Sequence, residues 1–271
     1  MKIYEWNIGM AATFGCNNGY QIQPWIIDEI TIDKPECFVL TEFVVSKGWD
    51  DMQDKLERNG YKWFVSGASG QNGILIAFKN DKNIDLSYVF GYKDNTVNNC
   101  AILNTICPPD FYEIRFKKGE QSYSLIGLRI RVEYKQQQFN ALDAYLATLE
   151  EIGMKVFCIG DFNAYWSNTW NNPLLNTTLP KTAKKYKICT PSYNNGKGDW
   201  FSYINPKIKV HSGKQQLDHL ITNIDVNVKS CNYDWNFINN HVNEYNSGTK
   251  ETPNKTKGMP DHAIFKVELA L

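Results

Sequence analysis

Paired cysteines, an excess of either charge and long apolar runs are all missing from this 271-residue chain. Its seven cysteines show no Cys-x-x-Cys spacing, which argues against a zinc site. An odd number with no pairing framework suits a reducing compartment. Cys37 and Cys158 lie inside apolar runs, where a free thiol packs as a small hydrophobe. Lys plus Arg and Asp plus Glu both total 29, so there is no global basic field, and any contact with nucleic acid must use a local patch. Lys181, Lys184, Lys185 and Lys187 form the densest cationic cluster, read here as a solvated loop. No apolar stretch approaches the length of a membrane-spanning helix. No basic segment followed by an apolar one precedes the first strand, so the expectation is a cytoplasmic protein without a membrane span. Internal repeats and linker-like stretches are also missing. With 42% hydrophobic and 21% charged residues, the length supports one large domain over residues 1–271.

What the chain does have is a series of apolar strands that end in polar groups. Val156-Phe157-Cys158-Ile159 reads as a buried strand, followed by Gly160 and by Asp161-Phe162-Asn163. The acid and the amide, two residues apart, leave the strand on one side. Burying either without partners is costly, so their place is a mouth where something polar binds. The device recurs. Lys2-Ile3-Tyr4-Glu5-Trp6 ends in Asn7, and Cys37-Phe38-Val39-Leu40 ends in Thr41-Glu42. Leu217 to Ile221 carries Asp218, and Asp261-His262 precedes the strand Ala263 to Leu269.

The spacing of apolar residues predicts helices over 22–30, 49–58 and 139–152, the last with Phe139, Leu142, Leu146 and Leu149 on one stripe. It predicts strands over 61–65, 74–78 and 86–90, and a hairpin of 112–116 with 123–131. Mixed helices, strands and hairpins favour two packed sheets covered by outer helices. Two aromatic-rich stretches read as long loops: residues 164–185, with Tyr165, Trp166 and Trp170, and residues 232–258, with Tyr233, Trp235, Phe237 and Tyr245. Their aromatics either face a base or a lipid surface, or tuck back into the core.

The ordered set Trp6-Asn7-Ile8, Thr41-Glu42, Gly160-Asp161-Phe162-Asn163, Leu217-Asp218-His219 and Pro260-Asp261-His262 resembles the endonuclease/exonuclease/phosphatase superfamily, the DNase I-like phosphoesterases. The resemblance spans nearly the whole chain. It implies an α/β (α+β) fold, a four-layer sandwich of two packed mixed β-sheets flanked by helices, with the site at one end of the sheets. It implies a hydrolase acting on phosphoesters with Mg²⁺, or Mn²⁺ in its place, bound by Glu42, Asp261 and Asn7. His262 becomes the acid–base group, oriented by Asp218. Asp161 positions the attacking water, while Asn163 and Asn7 donate N–H to phosphate oxygens.

One position departs from the pattern. Many members carry a histidine at the end of the strand before the main helix, and here that place falls to Arg129. Arginine clamps a phosphate but stays protonated, so it supplies no proton. His219 is expected on the opposite sheet face from Asp218, in a structural role, and His211 and His241 on the surface. The substrate stays open between nucleic acid, cleaved by a nuclease-type phosphodiesterase, and phosphoinositide or sphingomyelin, cleaved by a phosphatase or phospholipase. A non-catalytic binding module is disfavoured by the completeness of the set. No protein partner is implied.

Overall fold

A computed structural model of the chain describes residues 1–9, 14–16, 19–20, 22–67, 69–90, 110–164, 178–192, 199–205, 213–245 and 260–270. In chain order the strands are β1 (Lys2–Asn7), β2 (Phe14–Cys16), β3 (Gly19–Tyr20), β4 (Cys37–Val44), β5 (Tyr61–Val65), β6 (Asn72–Lys79), β7 (Ile84–Phe90), β8 (Phe111–Lys118), β9 (Gln121–Arg129), β10 (Lys155–Asp161), β11 (Lys187–Cys189), β12 (Tyr203–Ile204), β13 (Lys214–Gln215), β14 (Asp218–Thr222), β15 (Asn227–Asp234) and β16 (Ile264–Ala270). The helices are α1 (Trp25–Thr31), α2 (Trp49–Arg58), α3 (Lys135–Glu151) and α4 (Asn236–Tyr245). One six-stranded sheet runs β15-β16-β1-β4-β6-β5 and a second runs β11-β14-β10-β9-β8-β7.

Each large sheet holds one parallel pair, β1 with β4 and β9 with β10. Parallel neighbours need a crossover connection. The β1–β4 connection carries α1 and the β9–β10 connection carries α3. The two sheets pack face to face, and Gly127 of β9 permits close approach: a Cβ there would stand 2.8 Å from Val39 Cγ1. Helices cover the outer faces. Trp6 of β1 meets Trp25 of α1 and Phe237 of α4 at 5.9 and 4.7 Å between ring centroids. On the far side, Phe139, Leu142, Leu146 and Leu149 of α3 lie on Ile126, Leu128, Val156 and Cys158. This is the four-layer α/β sandwich the sequence led us to expect.

The stretch after residue 232 departs from expectation. Over its first half it is not a loop, because β15 continues to Asp234 and α4 follows. Tyr233, Trp235 and Phe237 are buried in the core. Their aromatic surface is worth more there, at about 1.5–3 kcal/mol for each large side chain taken out of water, than on an open loop. Tyr165, Trp166, Trp170 and His211 lie outside the described residues. No described helix is long and apolar enough to cross a membrane.

The crossovers decide where the polar residues go. The parallel strands β1, β4, β9 and β10 deliver their carboxyl ends, with Asn7, Glu42, Arg129 and Asp161, to one edge of the sandwich. The antiparallel β14 starts at that same edge, since Asp218 pairs with Asp161. β16 also starts there, just after His262. Gly160 holds this register: it pairs with Leu128, and a Cβ on it would stand 1.9 Å from the Leu128 carbonyl oxygen. Gly160→Ala must therefore separate β9 from β10. It should destabilise the fold by about 3 kcal/mol or more in urea unfolding, the range of severe backbone and packing faults. Wild-type stability in this variant would contradict the described register.

Candidate active site

Asp161 is buried, and its carboxylate is held by three donors. Asn7 Nδ2 reaches Oδ2 at 2.9 Å from the other sheet. Asn163 Nδ2 reaches the same oxygen at 3.0 Å, and the Asn163 backbone N–H reaches Oδ1 at 2.8 Å. Asn163 folds back in this way because its backbone is left-handed, φ 45°, a conformation asparagine tolerates well. Its second N–H goes to the Ile130 carbonyl at 2.7 Å, and Lys135 Nζ donates to its own carbonyl at 2.7 Å. Both amide protons of Asn163 are thus engaged within the protein. The sequence pointed to a phosphate contact for Asn163; in this structure its side-chain N–H groups go to Asp161 and to the Ile130 carbonyl. The Asn7 amide oxygen accepts the Gly9 N–H at 2.9 Å. This uses one of the two lone pairs of that oxygen, and the Asn7 amide orients Asp161 with one N–H to spare.

His262 lies beside Asp218, with Nδ1 2.8 Å from Oδ2, and both side chains are buried. Several contacts hold the pair. Trp6 Nε1 donates to the His262 carbonyl at 3.0 Å, and the Tyr203 ring lies 4.9 Å from the imidazole. Tyr233 donates its hydroxyl to the Asp218 carbonyl at 2.7 Å, and Ser202 Oγ accepts the Asp218 N–H at 3.1 Å. Burial alone would lower the pKa of His262, but the Asp218 carboxylate, joined by Asp161 and Asp261, raises it to about 9. His219, next in sequence, points to the opposite face, as its period-two position requires. It is buried against Thr190 and Phe162, and burial lowers its pKa to about 4, so it is neutral. His241 is not a lone surface group. It stacks on Trp25 at 4.3 Å and pairs with Glu29 at 2.9 Å.

Glu42 sits where the ladder between β4 and β6 slips between Leu40 and Phe43. Its backbone is left-handed, φ 52°. A non-glycine residue in that region costs about 1–3 kcal/mol, and such strain concentrates at functional sites. The slip aims its carboxylate across to the second sheet, where Oε1 meets Arg129 Nε at 2.7 Å. The contact pairs charges without hydrogen-bond alignment. Arg131, two residues on, serves the fold instead: Nε and Nη2 grip the buried Asp110 at 2.5 and 3.2 Å. Two lysines of the cluster are paired elsewhere. Lys185 pairs with Glu150 at 2.8 Å and Lys187 with Asp225. Lys187 lies opposite Thr222, about 13 Å along the strand from Asp218.

Acids outnumber cations at this edge. Asp161 is influenced by Asp218 and Glu42, and His262 by Asp218, Asp161 and Asp261, against the cations Arg129, Lys135 and His262. Burial raises the pKa of Asp161 to about 7, His262 opposes the rise, and Asp218 and Glu42 add to it. Among the described residues no three His, Cys, Asp or Glu side chains close around an ion by themselves. Sequence reasoning missed one acid here. Glu5 is fully buried on the inner face of β1, and burial followed by the nearby Asp218 pushes its carboxyl well above the ordinary range, against the Thr41 hydroxyl. The signal was in plain view, as an acid between the apolar Tyr4 and Trp6 in a strand buried along almost its whole length.

In fold, the chain is similar to D. rerio TDP2 complexed with single strand DNA product, at 11% identity and a TM-score of 0.65, over 100% of this chain and 99% of that one. It is similar to an AP endonuclease from Archaeoglobus fulgidus at 14% identity and a TM-score of 0.58, over 100% of both chains. It is also similar to ANGEL2, a 2′,3′-cyclic phosphatase, at 10% identity and a TM-score of 0.63, over 99% of this chain and 94% of that one. These proteins are members of the DNase I-like endonuclease/exonuclease/phosphatase superfamily, and its α/β sandwich is the fold of this chain. No family model matches the sequence, and no curated protein matches it.

The His262 shift has a thermodynamic consequence. Its folded pKa of about 9 exceeds the ordinary 6.5, so the folded state binds the proton more tightly than the unfolded one. The resulting stabilisation is complete below pH 6.5 and disappears as pH rises through 9. It is on the order of 3 kcal/mol. Urea unfolding across that window should show the wild type losing this increment and His262→Asn not losing it. Equal pH dependence in the two proteins would contradict the Asp218–His262 pairing.

Proposed function

We propose that the chain is a divalent-metal-dependent phosphoesterase that cleaves phosphodiester bonds in nucleic acid. One observation carries the chemistry: a buried Asp218–His262 pair and an amide-held Asp161 face one acid-rich edge. With Nδ1 engaged by Asp218, His262 turns Nε2 to the substrate and, being cationic at neutral pH, holds a proton for a phosphate or leaving oxygen there. Ionised Asp161 accepts hydrogen bonds only. Its two oxygens are held by Asn7 and Asn163, which leaves its orientation fixed and its remaining lone pairs to align an attacking water. Arg129 keeps its η nitrogens for a phosphate and replaces proton donation by fixed charge at its position.

The donor set fits Mg²⁺ or Mn²⁺. Magnesium takes one or two carboxylates and retains several waters. The edge offers Glu42 and Asp261, and Asp161, raised first by burial and further by Asp218 and Glu42, lies in the environment that a divalent cation relieves. When bound, such an ion would polarise a phosphoryl oxygen and offset developing charge. Asn7, the third expected ligand, gives one lone pair of its oxygen to the Gly9 N–H and keeps the other.

Nucleic acid is favoured as substrate because a protein of this fold has been seen with a single strand DNA product. The likeness to a 2′,3′-cyclic phosphatase supports a second reading, a phosphatase acting on a nucleotide end. The lipid reading loses part of its support, since Tyr233, Trp235 and Phe237 face the core. A panel of plasmid, single-stranded DNA, RNA, cyclic and terminal phosphates and lipid head groups, each with Mg²⁺, decides among these. A lipid cleaved faster than every nucleic acid would overturn the assignment.

Two outcomes follow at the site. EDTA should abolish activity, with Mg²⁺ or Mn²⁺ restoring it, and Glu42→Ala should weaken metal binding in calorimetry while the fold persists. Full activity in chelator would contradict metal dependence. Arg129→Lys should retain part of the activity and Arg129→Ala less, since lysine keeps the charge but not the fork. Unchanged kcat and KM in Arg129→Ala would make Arg129 ordinary strand surface.

A further inference from the structure

The polar end of β1 carries one acid that the proposed reaction leaves idle. Glu5 lies two residues before Asn7 and on the same face, so it points between the sheets. Thr41 of β4 donates its hydroxyl to Glu5 Oε1 at 2.9 Å. Oε2 is sealed from solvent and meets no donor. The group it faces is the carboxyl of Asp218. There, Oδ2 is engaged by His262 Nδ1 at 2.8 Å, whereas Oδ1 is equally sealed and equally without a donor.

Two neighbouring carboxyl groups, each with one buried oxygen that meets no donor, are costly to hold as two anions. Each unsatisfied buried acceptor costs about 1–3 kcal/mol, and more when charged. A single proton removes both deficits, because a protonated carboxyl group gains one O–H to donate. Asp218 Oδ2 is already engaged by His262 Nδ1, whereas Glu5 is fully buried with only the Thr41 hydroxyl to serve it, so the proton resides on Glu5. The remaining neighbours agree with this assignment. Thr41 donates to Oε1 alone, Asp161 adds negative charge, and neither of the hydroxyls bonded to the Asp218 main chain serves its carboxylate: Tyr233 donates to the Asp218 carbonyl and Ser202 Oγ accepts the Asp218 N–H.

We propose that Glu5 is a neutral carboxylic acid that donates its O–H to Asp218 Oδ1, forming the third member of a Glu5–Asp218–His262 relay. The inference rests on the reading of Asp218 and His262 as the acid–base pair. Glu5 does not reach the substrate. It is a positioning residue, which holds the Asp218 carboxylate from one side while His262 holds it from the other.

The chemistry of glutamine makes the test sharp. The Glu5→Gln substitution would keep a donor for Asp218 and an acceptor for Thr41, with no proton to lose, whereas Glu5→Leu removes both. Infrared spectra of the metal-free protein at mildly alkaline pH should show a protonated-carboxyl C=O band in the wild type that disappears in Glu5→Gln. This readout needs no substrate and holds whatever the enzyme cleaves. On the substrate found by the panel, Glu5→Leu should lose at least about tenfold in kcat with little change in KM, and Glu5→Gln should recover most of that loss. Absence of the band from the wild type would overturn the proposal. So would a Glu5→Gln variant as slow as Glu5→Leu. If Glu5→Leu fails to fold, the infrared comparison of wild type and Glu5→Gln decides alone.

Discussion

Asp161 has almost no contact with water, and its carboxylate is met instead by N–H groups from both sheets, Asn7 on one side and Asn163 on the other. An ionised carboxylate is tolerated in such a place only if donors replace its hydration. That requirement fixes more than one side chain. The Asn7–Asp161 bond crosses between the sheets where their apolar packing stops, so it sets how the end of β1 sits over the end of β10. The Glu42–Arg129 pair makes a second crossing beside it. With the two sheets tied at this edge, β14 brings Asp218 into register with Asp161 and β16 brings His262 onto Asp218.

The same environment separates the ionisation of groups that would otherwise titrate together. His262 is pushed up to about 9 beside a carboxylate, while the adjacent His219, deprived of solvent, is pushed down to about 4. Asp161 rises because it is buried among other acids. Titratable neighbours driven apart by their surroundings mark acid–base chemistry more specifically than the residue types alone. Strain points to the same place. Glu42 and Asn163 are two of the three non-glycine residues with positive φ among those described, and both belong to this edge.

Much of this architecture was legible in the sequence. The limits of α2 and β5 fell where helical spacing and the Asn59-Gly60 stop placed them, because local signals and tertiary packing agree there. The strand-end acids and amides were legible as a set, since polar groups that close apolar strands have few structural uses. Their partners were not. Nothing in the order of residues says that Asn163 turns back onto Asp161, or that Arg129 meets Glu42; both depend on positive φ and on a slip in strand register. The segment after residue 232 misled for a different reason. Asn-Phe-Ile-Asn-Asn-His-Val-Asn-Glu-Tyr is a poor helix by intrinsic propensity, and α4 exists because Phe237 and Ile238 bury themselves against the first sheet. Glu5 was overlooked because a strand buried on both faces offers no periodic contrast from which to judge which side its acid takes.

The account rests on Asp218 and His262 acting as one catalytic unit at this edge. A double-mutant cycle tests that directly, with kcat/KM measured in Mg²⁺ for the wild type, His262→Ala, Asp218→Asn and the pair on the best substrate. We expect His262→Ala to lose about 10²–10⁴-fold and Asp218→Asn the same or less. The double variant should be no slower than the worse single one, as for groups that act together. Losses that simply multiply, or a His262→Ala enzyme that works at the wild-type rate, would contradict the account.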